Sequence, residues 1–124
     1  MAFPVNICSF NIKGCNNPVK RTRIITFLRK ENISVAMLQE THLTEKEHKK
    51  LKKDWVGYVY FSSFNTKRRG VAILIHRKLP INITHIETDN NGCFVLIHGT
   101  LYGKKVTIMN VYAAPDLDPS FLLL

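Results

Sequence analysis

A chain of 124 residues, 45% of them hydrophobic, can build one core and leaves little room for a second domain. Eighteen Lys and Arg against nine Asp and Glu give a net charge of +9 and a pI near 9.7, which suits a polyanionic partner as well as a basic surface with no partner. Three cysteines without a CxxC pair exclude a fully closed disulfide framework, and no apolar run approaches the roughly 20 residues that span a bilayer. With an N-terminus, Met-Ala-Phe-Pro-Val-Asn, that lacks the basic-then-apolar order of a signal peptide, the expectation is an intracellular protein without membrane attachment.

Val5 to Asn11 alternates polar and apolar positions and predicts a first strand. Asn17-Pro18 is an N-cap followed by proline at the first helical position, and Ile24, Phe27 and Leu28 set an apolar stripe, so a helix is predicted from Pro18 to Lys30. Ser34 to Leu38 is a short apolar run of the kind that forms a buried strand, and it gives way at once to the carboxylate of Glu40. Strand, helix, strand makes a βαβ unit with parallel strands. Thr44-Glu45-Lys46-Glu47 matches a capping box, so a second helix should carry Lys46, Lys49, Lys50, Lys52 and Lys53 and end before Trp55.

After Gly57 the period becomes that of strands: Tyr58 to Phe64, Val71 to His76, Ile81 to Thr88, Cys93 to Gly99 and Lys104 to Tyr112. Their connectors are short and turn-like, which favours antiparallel hairpins. The predicted class is α/β (α+β): one mixed β-sheet with two helices on its outer face. After Ala113-Ala114-Pro115 the pattern stops, and residues 114–124 form an apolar tail.

Asn11, Glu40 and Asn110 with Tyr112 are unusual polar residues at predicted strand ends. If the first two strands are parallel neighbours, Asn11 and Glu40 emerge at one sheet edge. A carboxylate beside a carboxamide there suits a hard cation such as Mg2+. Singly, each residue has a plainer explanation: Asn11 as a turn former, Glu40 as the end of a strand, Tyr112 as an edge aromatic. The five histidines lie on different elements without metal-ligand spacing. Cys8 and Cys93 read as core residues, as do Trp55, Tyr58, Tyr60 and Phe61.

Four blocks change the weight of these residues. Ser9-Phe10-Asn11-Ile12-Lys13-Gly14, Leu38-Gln39-Glu40-Thr41-His42-Leu43, Gly70-Val71-Ala72-Ile73-Leu74 and Thr107-Ile108-Met109-Asn110-Val111-Tyr112-Ala113 resemble, in this order and spacing, the endonuclease/exonuclease/phosphatase superfamily. The resemblance is to the apurinic/apyrimidinic-like endonuclease domain of LINE-type retrotransposons, and it covers the N-terminal half of that domain, residues 1–113 here. It implies a four-layer α/β sandwich and Mg2+-dependent nicking of DNA, with Mn2+ as a substitute metal. Glu40 and Asn11 would serve the metal, and Tyr112 with Asn11 would act at the phosphate under attack. Lys13, Lys20, Arg21, Arg23, Thr41, Arg68 and Arg69 would lie along the DNA backbone. Nuclear location follows from such a substrate, since Lys67-Arg68-Arg69 reads as a basic turn and not as a targeting signal.

Family domains are nearly twice as long and carry a Gly-Asp-x-Asn motif, a further Asp and a terminal Asp-His pair in their second half. Neither Gly-Asp nor Asp-His occurs in this sequence. Asp116 and Asp118 follow an inserted alanine and are not counted as substitutes. The implied state is a truncated endonuclease, inactive alone and dependent on a missing C-terminal half or a partner chain. Ile73, Ile75, Val95, Ile97, Ile108 and Val111 should then include residues exposed for want of a second sheet. Two other readings are carried: a non-catalytic basic nucleic-acid-binding module, and a phosphoesterase of the same superfamily acting on a small phosphoester or lipid.

Overall fold

The structure, a computed structural model, describes residues 4–115. In chain order the elements are β1 (Ile7–Asn11), α1 (Pro18–Lys30), β2 (Val35–Gln39), α2 (Glu45–Asp54), β3 (Gly57–Ser62), β4 (Val71–His76), β5 (Ile81–Thr88), β6 (Phe94–Leu101) and β7 (Lys104–Val111). Both helices start as their caps dictate: Asn17 Oδ1 accepts from Val19 N at 2.8 Å, and Thr44 Oγ1 accepts from Glu47 N at 3.2 Å. In α2, Glu45 and Glu47 fill the first turn and Lys52 and Lys53 the last, which complements the helix dipole. Of the tail expected over residues 114–124, residues 116–124 lie outside the described residues.

The α+β class, the outer helices and the parallel β1–β2 pair all hold, but the strands do not form one mixed sheet. They divide into a four-stranded sheet of order β1-β2-β4-β3 and a three-stranded antiparallel sheet of order β5-β6-β7. Of the four connectors between β3 and β7, three close hairpins as expected. The fourth, after β4, carries the chain over the edge of the sandwich, anchored by the buried Leu79.

The physical reason lies in β4. Val71, Ala72, Ile73, Leu74 and Ile75 are all buried, which a strand with one solvated face does not achieve. Ala72 and Leu74 pack with Leu28, Leu38, Leu51 and Trp55 under the helices. Val71, Ile73 and Ile75 pack with Val35, Val95 and Ile97 between the sheets. The expected exposure of Ile73, Ile75, Val95 and Ile97 is therefore corrected: each is 0% exposed, because the chain supplies its own second sheet. Ile108 packs partly buried against the same core, and Val111 stays exposed.

The two sheets are offset. β6 crosses β4 and β3, and β7 crosses β2 and β4, so β1 extends past the margin of the second sheet. Across this offset, Asn110 of β7 staples the layers: buried, it donates from Nδ2 to Leu38 O at 2.9 Å and Ala72 O at 2.8 Å, and accepts from Gln39 Nε2 at 2.7 Å.

Candidate active site

Where β1 and β2 end, the chain turns through left-handed backbone at Lys13 (φ 50), Glu40 (φ 53), His42 (φ 56) and Arg69 (φ 61). Such a conformation costs a side-chain-bearing residue about 1–2 kcal/mol, and persists only where neighbours fix it. Backbone hydrogen bonds do so here. On one side of the Glu40 turn, Ile12 N donates to Gln39 O at 3.0 Å, Gly14 N to Glu40 O at 2.6 Å and Cys15 N to Thr41 O at 2.9 Å. On the other, Thr41 N donates to Gly70 O at 3.0 Å and His42 N to Arg69 O at 2.9 Å. Two glycines permit this closeness: a Cβ on Gly14 would lie 2.6 Å from His42 Nδ1, and one on Gly70 would lie 2.3 Å from Thr41 Oγ1.

Beneath the turn sits His48, to which the sequence assigned no role. It is buried against Phe61, ring centroids 4.8 Å apart, and its nitrogens meet Thr41 Oγ1 and Ser63 Oγ, each at 2.7 Å. Burial pushes its pKa down from the usual 6.5 to about 3, so the ring is neutral and braces the turn. Cys15 also lies under the turn, and burial pushes its thiol up to about 11, which removes it as a nucleophile at neutral pH.

The Glu40 carboxylate accepts a hydrogen bond from the Tyr112 hydroxyl. Tyr112 is set by its own N–H, which donates to Cys93 O at 2.7 Å, and by the Asn110 staple two residues earlier. The contact therefore joins the end of the first sheet to the end of the second. Asn11, exposed, is in register with Gln39, one residue before Glu40, and its Oδ1 accepts from Lys13 N at 3.2 Å. A carboxylate and a carboxamide at neighbouring strand ends are the oxygen types that could hold a hard divalent cation that keeps several waters. Among the described residues no group of three or more His, Cys, Asp or Glu could hold a metal.

The expected nucleic-acid contacts are not all at this edge. Lys13 is exposed beside Asn11, and Lys20 Nζ folds back onto the same turn, donating to Ile12 O at 2.6 Å. Arg21 instead pairs with Glu47 at 3.1 Å and ties α1 to α2. Arg23 lies beside Phe10 and Phe27 in a groove along α1. The Thr41 side chain is buried on His48, so it braces the turn from below and presents no hydroxyl to a ligand. The Arg68 and Arg69 guanidiniums lie 5.4 and 4.4 Å from the Phe64 ring centre, Arg68 exposed and Arg69 buried.

The profile of the Endonuclease/Exonuclease/phosphatase family matches residues 8–122. The chain belongs to this family. Over 115 residues it is 29% identical to the Transposon TX1 uncharacterized 149 kDa protein of Xenopus laevis, covering 93% of this chain and 9% of that one. The structure of D. rerio TDP2 complexed with single strand DNA product superposes with a TM-score of 0.62 at 23% identity, covering 85% of this chain and 44% of that one. The endonuclease domain of TRAS1, a telomere-specific non-LTR retrotransposon, gives a TM-score of 0.61 at 11% identity, covering 95% and 48%. One relative in sequence and one structure of the same fold are named for transposable elements. The chain spans less than half the length of either solved structure. No described helix is long and apolar enough to cross a membrane.

Proposed function

We propose that this chain carries the metal and phosphate side of a Mg2+-dependent DNA endonuclease site of retrotransposon type, with Mn2+ as a substitute metal. The observation that carries the reading is the Glu40–Tyr112 hydrogen bond, which brings an oxygen ligand and a phenol together across the two sheets beside Asn11. Bound there, a divalent cation would polarise a non-bridging phosphate oxygen and stabilise the leaving 3′ oxygen. Glu40 and Asn11 would supply its protein ligands. The Tyr112 hydroxyl orients the carboxylate before the metal binds, and would hydrogen-bond the phosphate once Glu40 turns to the metal. Lys13 and the Lys20 ammonium, held at the turn, would draw the backbone of DNA to this edge.

Residues 1–113 are read as the first half of a family domain, and residues 114–124 as a divergent tail. The Asp, Asn and Asp-His groups expected to orient and deprotonate the attacking water belong to the second half, so the chain alone should be catalytically silent. A nuclear location would follow from a DNA substrate. The test is nicking of supercoiled plasmid in Mg2+. No cleavage above background is expected, whereas nicking abolished by Glu40→Ala would show the site to be complete. The net charge of +9 supports a second reading, a basic module that holds nucleic acid without chemistry. It predicts binding that falls steeply with salt and ignores both Mg2+ and Glu40→Ala. The third reading, a phosphoesterase acting on a small phosphoester or lipid, would use the same corner, and comparing plasmid with phospholipid substrates separates it from the first.

A further inference from the structure

At the end of the first sheet away from Glu40, Arg29, Asn32, Val56, His76, Arg77 and Lys78 line a cavity of about 310 Å³. Val35 pairs with Ile75 and Gln39 with Val71, so the length of β2 separates this cavity from the Glu40 corner, roughly 16 Å at about 3.3 Å per residue. None of the residues proposed to hold Mg2+ is among its walls.

Three segments far apart in sequence meet here, and backbone bonds hold them. His76 N donates to Ser34 O at 2.8 Å, and Arg77 N donates to Val56 O at 3.0 Å, which ties the end of β4 to the link between α2 and β3. Leu79, buried, anchors the connector, and its N–H donates to His76 O at 3.0 Å. Asn32 turns the chain after α1 through left-handed backbone, φ 55, and its N–H donates to Arg29 O at 3.2 Å. The buried Trp55 packs edge-on against the His76 ring, centroids 6.0 Å apart. The walls are thus fixed before a ligand arrives, and only the ends of the long side chains need to order on binding.

The charge of these walls is one-sided. None of the described carboxylates lines the cavity, and Arg29, Arg77 and Lys78 form no ion pair among the described residues. Arg29 has a plainer reason for its place, since a cation in the last turn of α1 complements the helix dipole. Arg77 and Lys78 follow a strand, so no helix dipole accounts for them. Burial, and then the charges of Lys78 and Arg77, push the His76 pKa below its usual 6.5, so the ring is neutral at pH 7. Its Nδ1 accepts from Lys78 N at 3.1 Å, which leaves the ring proton on Nε2 as a donor. Two guanidinium forks and an ammonium, with the N–H groups of His76 and Asn32 beside them, exceed what one carboxylate can neutralise. They match a phosphomonoester, with its charge of about −1.5 to −2 and three acceptor oxygens.

We propose that this cavity is an anion site for a phosphomonoester group, either a free phosphate ion or the terminal phosphate of a nucleic-acid strand. The experiment titrates inorganic phosphate into the isotopically labelled full chain at about 0.15 M salt, where remote surface charges are screened, and follows two-dimensional amide spectra. Saturable shifts confined to Asn32, Val56 and residues 76–78 are expected. Arg77→Gln and Arg29→Gln, both at exposed positions outside the core, should each weaken binding at least about tenfold. Lys104→Gln, which removes the same charge at the start of β7, should leave it unchanged. A short oligothymidylate bearing a 5′ phosphate then separates the two sources: displacement of the ion by it assigns the site to a strand end, and no displacement assigns it to the free ion. Absence of saturable shifts, shifts scattered over the basic surface, equal weakening by Lys104→Gln, or equally tight binding at the cavity of the same oligonucleotide without its phosphate would overturn the proposal.

Discussion

The Glu40 corner and the β1–β7 side are a few residues apart on the same strands, yet they are built on opposite principles. At the corner, Gln39, Glu40, Thr41, Asn110 and Tyr112 are all engaged by hydrogen bonds within the chain. Along β1 and β7, apolar side chains stand at the surface, and among the described residues each strand pairs on one side only. The first region is fixed by hydrogen bonds within the chain, whereas the second leaves apolar side chains in solvent.

Substitutions that break the corner should act on stability first. Asn110→Leu strips partners from Leu38 O, Ala72 O and Gln39, all at a buried position, and should cost about 3 kcal/mol. The check is a fall of more than about 10 °C in melting temperature. Gly70→Ala, which forces a Cβ to 2.3 Å from Thr41 Oγ1 at φ +94, should cost about 2 kcal/mol or more in urea denaturation.

The corner also carries a pH signature. The folded pKa of His48 is pushed below its unfolded value, to about 3, so the unfolded chain binds more protons between about pH 6.5 and 3. Stability is then fully present above pH 6.5 and falls on acidification, by up to about 1.4 kcal/mol per pH unit. Unfolding free energies from urea titrations at pH 7 and 5 should differ by about 2 kcal/mol, and His48→Gln should flatten that dependence. On the open side the effect should be the smallest. Ile7→Lys, at a site 57% exposed, should leave stability within about 0.5 kcal/mol.

Much of the fold was legible because it is written in local signals. Asn17-Pro18 and Thr44 with Glu47 fixed both helix starts, and the alternation of β5 to β7 fixed their hairpins. The division into two sheets was not drawn from the sequence, because the connector Arg77 to Pro80 is as short as a hairpin turn. The signal was present all the same in Val71 to Ile75, five apolar residues in a row that need cover on both faces. Of the site, Glu40 and Asn11 were legible as polar ends of adjacent strands. His48 was not, since a histidine in a lysine-rich helix looks like any exposed residue until Thr41, Ser63 and Phe61 close around it.

On the proposed function, this chain alone builds the metal side of the site. Titration of Mn2+ followed by electron paramagnetic resonance, on the native chain and on Glu40→Gln, tests it most directly. Saturable binding to the native chain is expected, weakened at least about tenfold by Glu40→Gln at an unchanged melting temperature. Equal affinity in the two proteins, or no binding to either, would contradict it.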